Sequence, residues 1–158
     1  MPGKSIVTFA IAALLLAVVP ALAAEQTPQT YKEQVEPICQ ANKSKEEILK
    51  TVRKEVKEGK LKKASQHMAT AAKALKQTYA RLSKVPKPGE DAARLTKWLK
   101  GIKTEAELLE TAGRKLAKGE KNAALKMVVR LKTNAVKTNN LVLDYEFRYC
   151  HVDPSKFI

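Results

Sequence analysis

The sequence predicts an all-α protein: a single up-down-up-down antiparallel four-helix bundle that follows a cleaved signal peptide. Three observations carry that expectation. Apolar residues recur at alternating spacings of three and four from Val35 almost to Tyr149, the signature of one buried helix face. The stripes break at Gly59, at Pro86-Lys87-Pro88-Gly89 and at Gly119, residues that end helices and open turns. No run shows the period of two that a half-buried strand requires.

Residues 1–23 have the three parts of a secretory signal. Lys4 and the amino terminus supply positive charge, Ile6 to Val19 form an uncharged apolar run, and Ala21-Leu22-Ala23 is a small-x-small cleavage site. The run is shorter than the roughly 20 apolar residues of a spanning helix, and Pro20 interrupts it, which argues against an uncleaved anchor. The mature chain, beginning at Ala24, is then expected to be secreted or extracytoplasmic, with no transmembrane segment. Residues 24–29, with Pro28, read as a disordered spacer. About 135 residues remain, the size of one domain, with the bundle over 30–152 and a tail over 153–158.

In the first segment the stripe runs Val35, Ile38, Asn42, Lys45, Leu49, Val52 and Val56, apolar at both ends and polar between. Capping-box patterns at Thr30 to Glu33 and Ser44 to Glu47 predict a short helix that kinks or breaks before a longer one from Ser44. The second stripe runs from Leu61 to Val85 with small residues at several core positions. The third runs from Ala92 to Leu116, with Asp91 as a candidate amino-terminal cap. The fourth runs from Ala124 through Leu131, Ala135 and Val142 to Tyr149, and Pro154 cannot extend it.

Cys39 and Cys150 are the two cysteines, and export carries them where thiols oxidise, so an intramolecular disulfide is expected, with free thiols or a dimer cross-link as alternatives. Straight helices would leave the two about 15 Å apart along the bundle. Pairing therefore requires a break between Pro37 and Ser44, a turn back after about Tyr145, or both. In this topology the aromatics gather at the disulfide pole. They read first as a core plug; as a pocket wall, Tyr31, Tyr79, Trp98, Tyr145 and Tyr149 are the candidate ligand-binding residues.

The formal net charge is +14, lower by one once Lys4 departs with the signal. Residues 59–89 hold eight Lys or Arg and no acid, and residues 121–143 hold five and none. Candidate anion-binding residues are Lys62, Lys63, Lys73 and Lys76 on the second helix and Lys126, Arg130 and Lys137 on the fourth. These two helices are diagonal partners, separated by acid-bearing ones, which opposes the continuous basic track of a specific nucleic-acid site. Diffuse attraction to anionic envelope polymer or lipid headgroups fits better. The histidines, His67 and His151, have no metal-ligand spacing, and no catalytic set, cofactor motif or phosphate loop is visible. Acids such as Glu105 and Glu107 fall on expected solvent faces, with no acid at a core position. The oligomeric state is not encoded legibly.

Tyr31-Lys-Glu-Gln-Val-Glu-Pro-Ile-Cys39-Gln-Ala-Asn42, the lysine-rich middle through Pro86-Lys87-Pro88, and Asn140 to Cys150 resemble secreted helical proteins of actinobacteria that pair an early and a late cysteine. The resemblance spans nearly all of the mature chain. It implies a four-helix fold and a disulfide rather than any particular activity. Two functions remain expected: a non-enzymatic cationic module at an anionic envelope, or a carrier of a small apolar ligand at the aromatic pole.

Overall fold

A computed structural model describes residues 26–41 and 46–153, the side chains of Glu46 and Glu47 excepted. The expected signal and cleavage site, the Ser44 cap and the tail beyond Asp153 lie outside the described residues. Among those described, the chain is all-α, with five helices, one short 3-10 turn and no strand.

Helix α1, Pro28–Gln40, starts earlier than the sequence patterns indicate. Thr27, not Thr30, is the cap: its hydroxyl accepts from the Thr30 amide at 3.2 Å, and the Thr27 amide donates to the Thr30 hydroxyl at 2.9 Å. Pro28, read as part of a disordered spacer, opens the helix. A missing amide proton costs nothing in the first turn, and the fixed φ of proline suits it. Pro37 is accommodated inside α1, whose last carbonyl bonds include Pro37 O to the Ala41 amide. The expected break therefore lies just beyond the proline, between α1 and α2, Glu46–Lys57.

Helix α2 ends in a glycine-terminated cap. Gly59 takes φ +75°, the Lys60 amide reaches back to Glu55 O and the Gly59 amide to Val56 O. Helix α3, Leu61–Leu82, follows at once. The same turn recurs after α4, Ala92–Ala117, where Gly119 takes φ +76° with matching bonds to Lys115 and Leu116, and α5, Lys121–Asn140, begins. Both glycines stand where the left-handed conformation closes the helix, and a side chain there would be strained.

Each helix packs on its successor along α2, α3, α4 and α5, so α4 is flanked by α3 and α5, while α1 lies on α3. The α4–α5 approach is close at Gly101, where a Cβ would overlap the Thr138 side chain. Two cores result. One joins Tyr31, Val35, Leu82, Leu95, Trp98 and Tyr145; the other joins Val52, Ala64, Met68, Ala71, Leu116 and Leu131. Thus α1 closes one pole and α2 the other.

Cys39 and Cys150 form a disulfide. Both devices that the length argument offered as alternatives are present: the break after α1, and a reversal after α5. The fourth stripe was expected to continue to Tyr149, but α5 stops at Asn140. A 3-10 turn follows at Leu143–Tyr145, and Glu146 takes φ +48°, turning the chain back toward α1. The returning strand of chain is held by polar clamps. Glu36 accepts from the amides of Arg148 at 2.6 Å and Tyr149 at 3.0 Å. The Asn139 amide donates to Val152 O at 2.6 Å and its oxygen accepts from Val152 N at 3.3 Å.

The disulfide spans a sequence separation of 111 residues. Opening it by Cys39→Ser with Cys150→Ser is expected to lower the unfolding free energy by about 4 kcal/mol, chiefly through a freer unfolded chain. Urea denaturation checks this; an unchanged midpoint would show that the clamps alone carry the pole.

Candidate functional site

Two regions were candidates on sequence grounds, the aromatic pole and the basic helices, and the structure treats them differently. Tyr31 and Trp98 are wholly inaccessible to solvent, and Tyr145 nearly so. The Tyr31 and Tyr145 rings meet edge to face at 5.9 Å between centroids, Tyr145 lies 5.1 Å from Phe147, and Phe147 lies 5.4 Å from Trp98. Tyr79 and Tyr149 pack partly buried against this cluster. Tyr31, Tyr145, Phe147 and Trp98 thus form one run of ring contacts inside the bundle, the arrangement of a core plug, with Tyr79 and Tyr149 at its edge. Burial pushes the Tyr31 hydroxyl up to about 12.

Asp91 takes a different part from the one expected. It stands at the start of α4 but makes no side-chain cap bond. Instead its carboxylate accepts from Tyr145 Oη at 2.6 Å and from Arg94 Nη2 at 2.6 Å, while Arg94 Nη1 donates to Asp144 at 2.6 Å. The Tyr145 hydrogen bond, then Arg94, hold the Asp91 carboxyl below its ordinary range; burial and Asp91 raise the Tyr145 hydroxyl. This is a clasp on the 3-10 turn.

Glu105 overturns the expectation that no acid occupies the core. It is 2 % exposed, on the side of α4 that faces α5. Asn134 Nδ2 lies 3.3 Å from its carboxyl oxygen, 3.0 Å from Gly101 O and 3.3 Å from Thr138 Oγ1. Burial, only partly opposed by the Asn134 hydrogen bond, raises its carboxyl to about 8. Glu55 is buried as well, and accepts from His67 Nδ1 at 2.8 Å, so that this histidine joins α2 to α3. Among the described residues no group of three His, Cys, Asp or Glu side chains is arranged to hold a metal.

An open groove lies at the other pole. Helix α5 packs on α4 and α2 on α3, and a groove of about 370 Å³ runs between α2 and α5. Leu49, Val52 and Val56 line it from α2, at the three-and-four spacing that makes one face of an amphipathic helix. Ala124, Leu125, Val128 and Leu131 line it from α5, with Met68 and Leu116 as its floor. Its polar lining consists of cations: Arg53 and Lys57, one turn apart on α2, and Lys121 in the first turn of α5. Of the acids nearby among the described residues, Glu55 pairs with His67, Glu58 with Lys60 at 2.7 Å and Glu120 with Lys115 at 2.7 Å. Sequence reasoning missed this site. Lys57 and Lys121 lie next to the two glycine turns, and that shared position was the available signal.

All seven expected anion-binding residues are exposed. Lys76 is engaged, at 2.9 Å from Glu110. On α5, Leu125, Val129 and Val136 are 57 %, 50 % and 42 % exposed, and Leu143 beyond the helix is 63 % exposed. Spacings of four and seven put the three helical residues on one outward face, and Lys126, Arg130 and Lys137 follow one flank of it. Leu125, Lys126, Val129 and Arg130 share a shallow hollow there. No described helix is long and apolar enough to cross a membrane. No protein-family model, curated protein or solved structure matches the chain.

The unfolded chain ionises Glu105 near 4.5 and the folded chain near 8, so between those values the folded state holds the extra proton. Stability from this group is therefore full below about pH 4.5, falls as pH rises, and is lost above about 8. Glu105→Gln is expected to match the parent near pH 4 and to exceed it by about 1 kcal/mol or more at pH 8. Thermal unfolding at the two pH values checks this; parallel pH profiles would refute it.

Proposed function

We propose that this chain is an exported, non-enzymatic module that associates peripherally with anionic lipid, with the outer face of α5 as its contact. In this reading α1 and α2 together make the broken first member of an up-down-up-down four-helix bundle. The resemblance of both chain ends to secreted actinobacterial helical proteins supports export, and the disulfide and lack of a membrane-spanning helix among the described residues are compatible with it.

One observation carries the proposal: exposed Leu125, Val129 and Val136 form a row on α5 flanked by Lys126, Arg130 and Lys137, with exposed Leu143 just beyond the helix, in a stretch with no acid from residue 121 to 143. Single exposed apolar side chains are ordinary on soluble proteins. A row of them beside a cationic flank is the pattern of helices that lie in a lipid interface, with apolar groups at the acyl boundary and ammonium groups among anionic headgroups. Lys62, Lys63 and Lys73 on α3 add long-range attraction without a comparable apolar row. That is why lipid is favoured over a purely polyanionic polymer.

The test is cosedimentation of the disulfide-bonded chain with vesicles. Binding is expected to vesicles containing phosphatidylglycerol, not to phosphatidylcholine alone, and to fall by about tenfold or more between low salt and about 0.5 M salt. Val136→Asp with Leu143→Asp, both exposed, should abolish it. Salt-sensitive binding that survives this double change would mean a purely electrostatic contact and defeat the proposal.

A further inference from the structure

We propose that the α2–α5 groove takes up the alkyl chain of one monomeric medium-chain fatty acid and holds its carboxylate with Lys57 and Lys121. This deepens the lipid-surface reading, yet it is carried by a different part of the molecule and fails or stands separately.

The groove has the dimensions and lining for a single chain. Its volume of about 370 Å³ lies at the small end of ligand pockets, which run from about 300 to 1,000 Å³. Val52, Val128 and Leu131 offer no hydrogen bond along its length, so an alkyl chain enters without stranding a polar group. The head is specified by charge. Lys57 and Lys121 bring two ammonium groups to the lining, no acid lines the groove among the described residues, and Glu55, Glu58 and Glu120 nearby are each bonded to another side chain. An anionic head is drawn to that lining, a neutral head gains little and a cationic head is repelled.

The position of the charges orients the ligand. Lys57 closes α2 and Lys121 opens α5, so both stand at the end of the groove beside the glycine turns, and Arg53 lies one turn further in. The carboxylate belongs at that end, with the chain running toward Leu131. Leu125 belongs both to the groove and to the exposed row on α5, which gives an acyl chain a continuous apolar route from a lipid surface.

Laurate below its micellar concentration is the probe, titrated into the disulfide-bonded chain by calorimetry, with dodecanol and dodecyltrimethylammonium as neutral and cationic controls. Saturable binding of one laurate per chain is expected, about tenfold or more tighter than either control. Lys57→Glu with Lys121→Glu, both at exposed positions, should erase the preference for laurate while leaving dodecanol binding unchanged; Val128→Trp should block all three. Val136→Asp with Leu143→Asp should leave laurate binding intact even where vesicle binding is lost. Equal affinity for the three probes, an affinity for laurate untouched by the charge reversal, or a native mass spectrum in which a second copy of the chain occupies the groove and excludes laurate, would each overturn the inference.

Discussion

The disulfide between Cys39 and Cys150 is the constraint from which the rest of the architecture follows. Two cysteines near opposite ends of a chain of helices cannot meet if every helix runs straight to the end of its apolar pattern. The chain resolves this by stopping α1 at Gln40, and by stopping α5 at Asn140 and turning back through a left-handed residue, Glu146. A reversal of this kind exposes backbone amides that no helix satisfies. Glu36 and Asn139 accept them, and Asp91 takes the Tyr145 hydroxyl. Covalent closure and polar clamping therefore act on the same few residues.

That closure decides where space remains. Trp98, Tyr31, Tyr145 and Phe147 crowd the sealed pole, and large rings in mutual contact leave little between them. At the other pole the buried positions include Ala64, Ala71, Ala72, Ala112 and Ala124, and the covering helix α2 has only 12 residues. Small side chains under a short helix do not fill the volume between α2 and α5. The same sequence economy that makes one end a plug leaves the other end grooved, so the aromatic residues bear on the candidate site indirectly, by fixing the frame against which α2 and α5 stand apart.

Much of this was legible in the sequence. The apolar stripes, Gly59, Gly119 and the Pro86 to Gly89 stop lie where helices and turns lie, because local propensity and burial agree at those positions. The pairing of the cysteines was legible together with the distortions it needs. The start of α1 was not, since residues 24–29 with Pro28 were read as a disordered spacer, whereas Pro28 stands in the first turn, where proline is favourable. Glu105 was missed because a narrow seam was assumed for α4. That helix is packed by both α3 and α5, so its buried face is wide enough to include Trp98, Glu105 and Ala112 beside the main stripe. The groove was hidden for another reason. An apolar residue reads the same whether a neighbour covers it or not, and only the relative placement of α2 and α5 tells the two cases apart.

The charge distribution gains its meaning from the same placement. Considered along the chain, the basic stretches on α3 and α5 are equivalent, one with eight cations and one with five. In the folded molecule they differ in what accompanies them. On α3 the inward positions are filled and Lys76 is drawn to Glu110 on α4, so the lysines there sit on an ordinary solvated face. On α5 one face is committed to α4, a second borders the groove, and a third carries exposed Leu125, Val129 and Val136. A helix with three occupied faces has little surface left for solubility alone. Leu125, shared by the groove and the outer row, makes α5 a helix on which an apolar path and a cationic flank coincide.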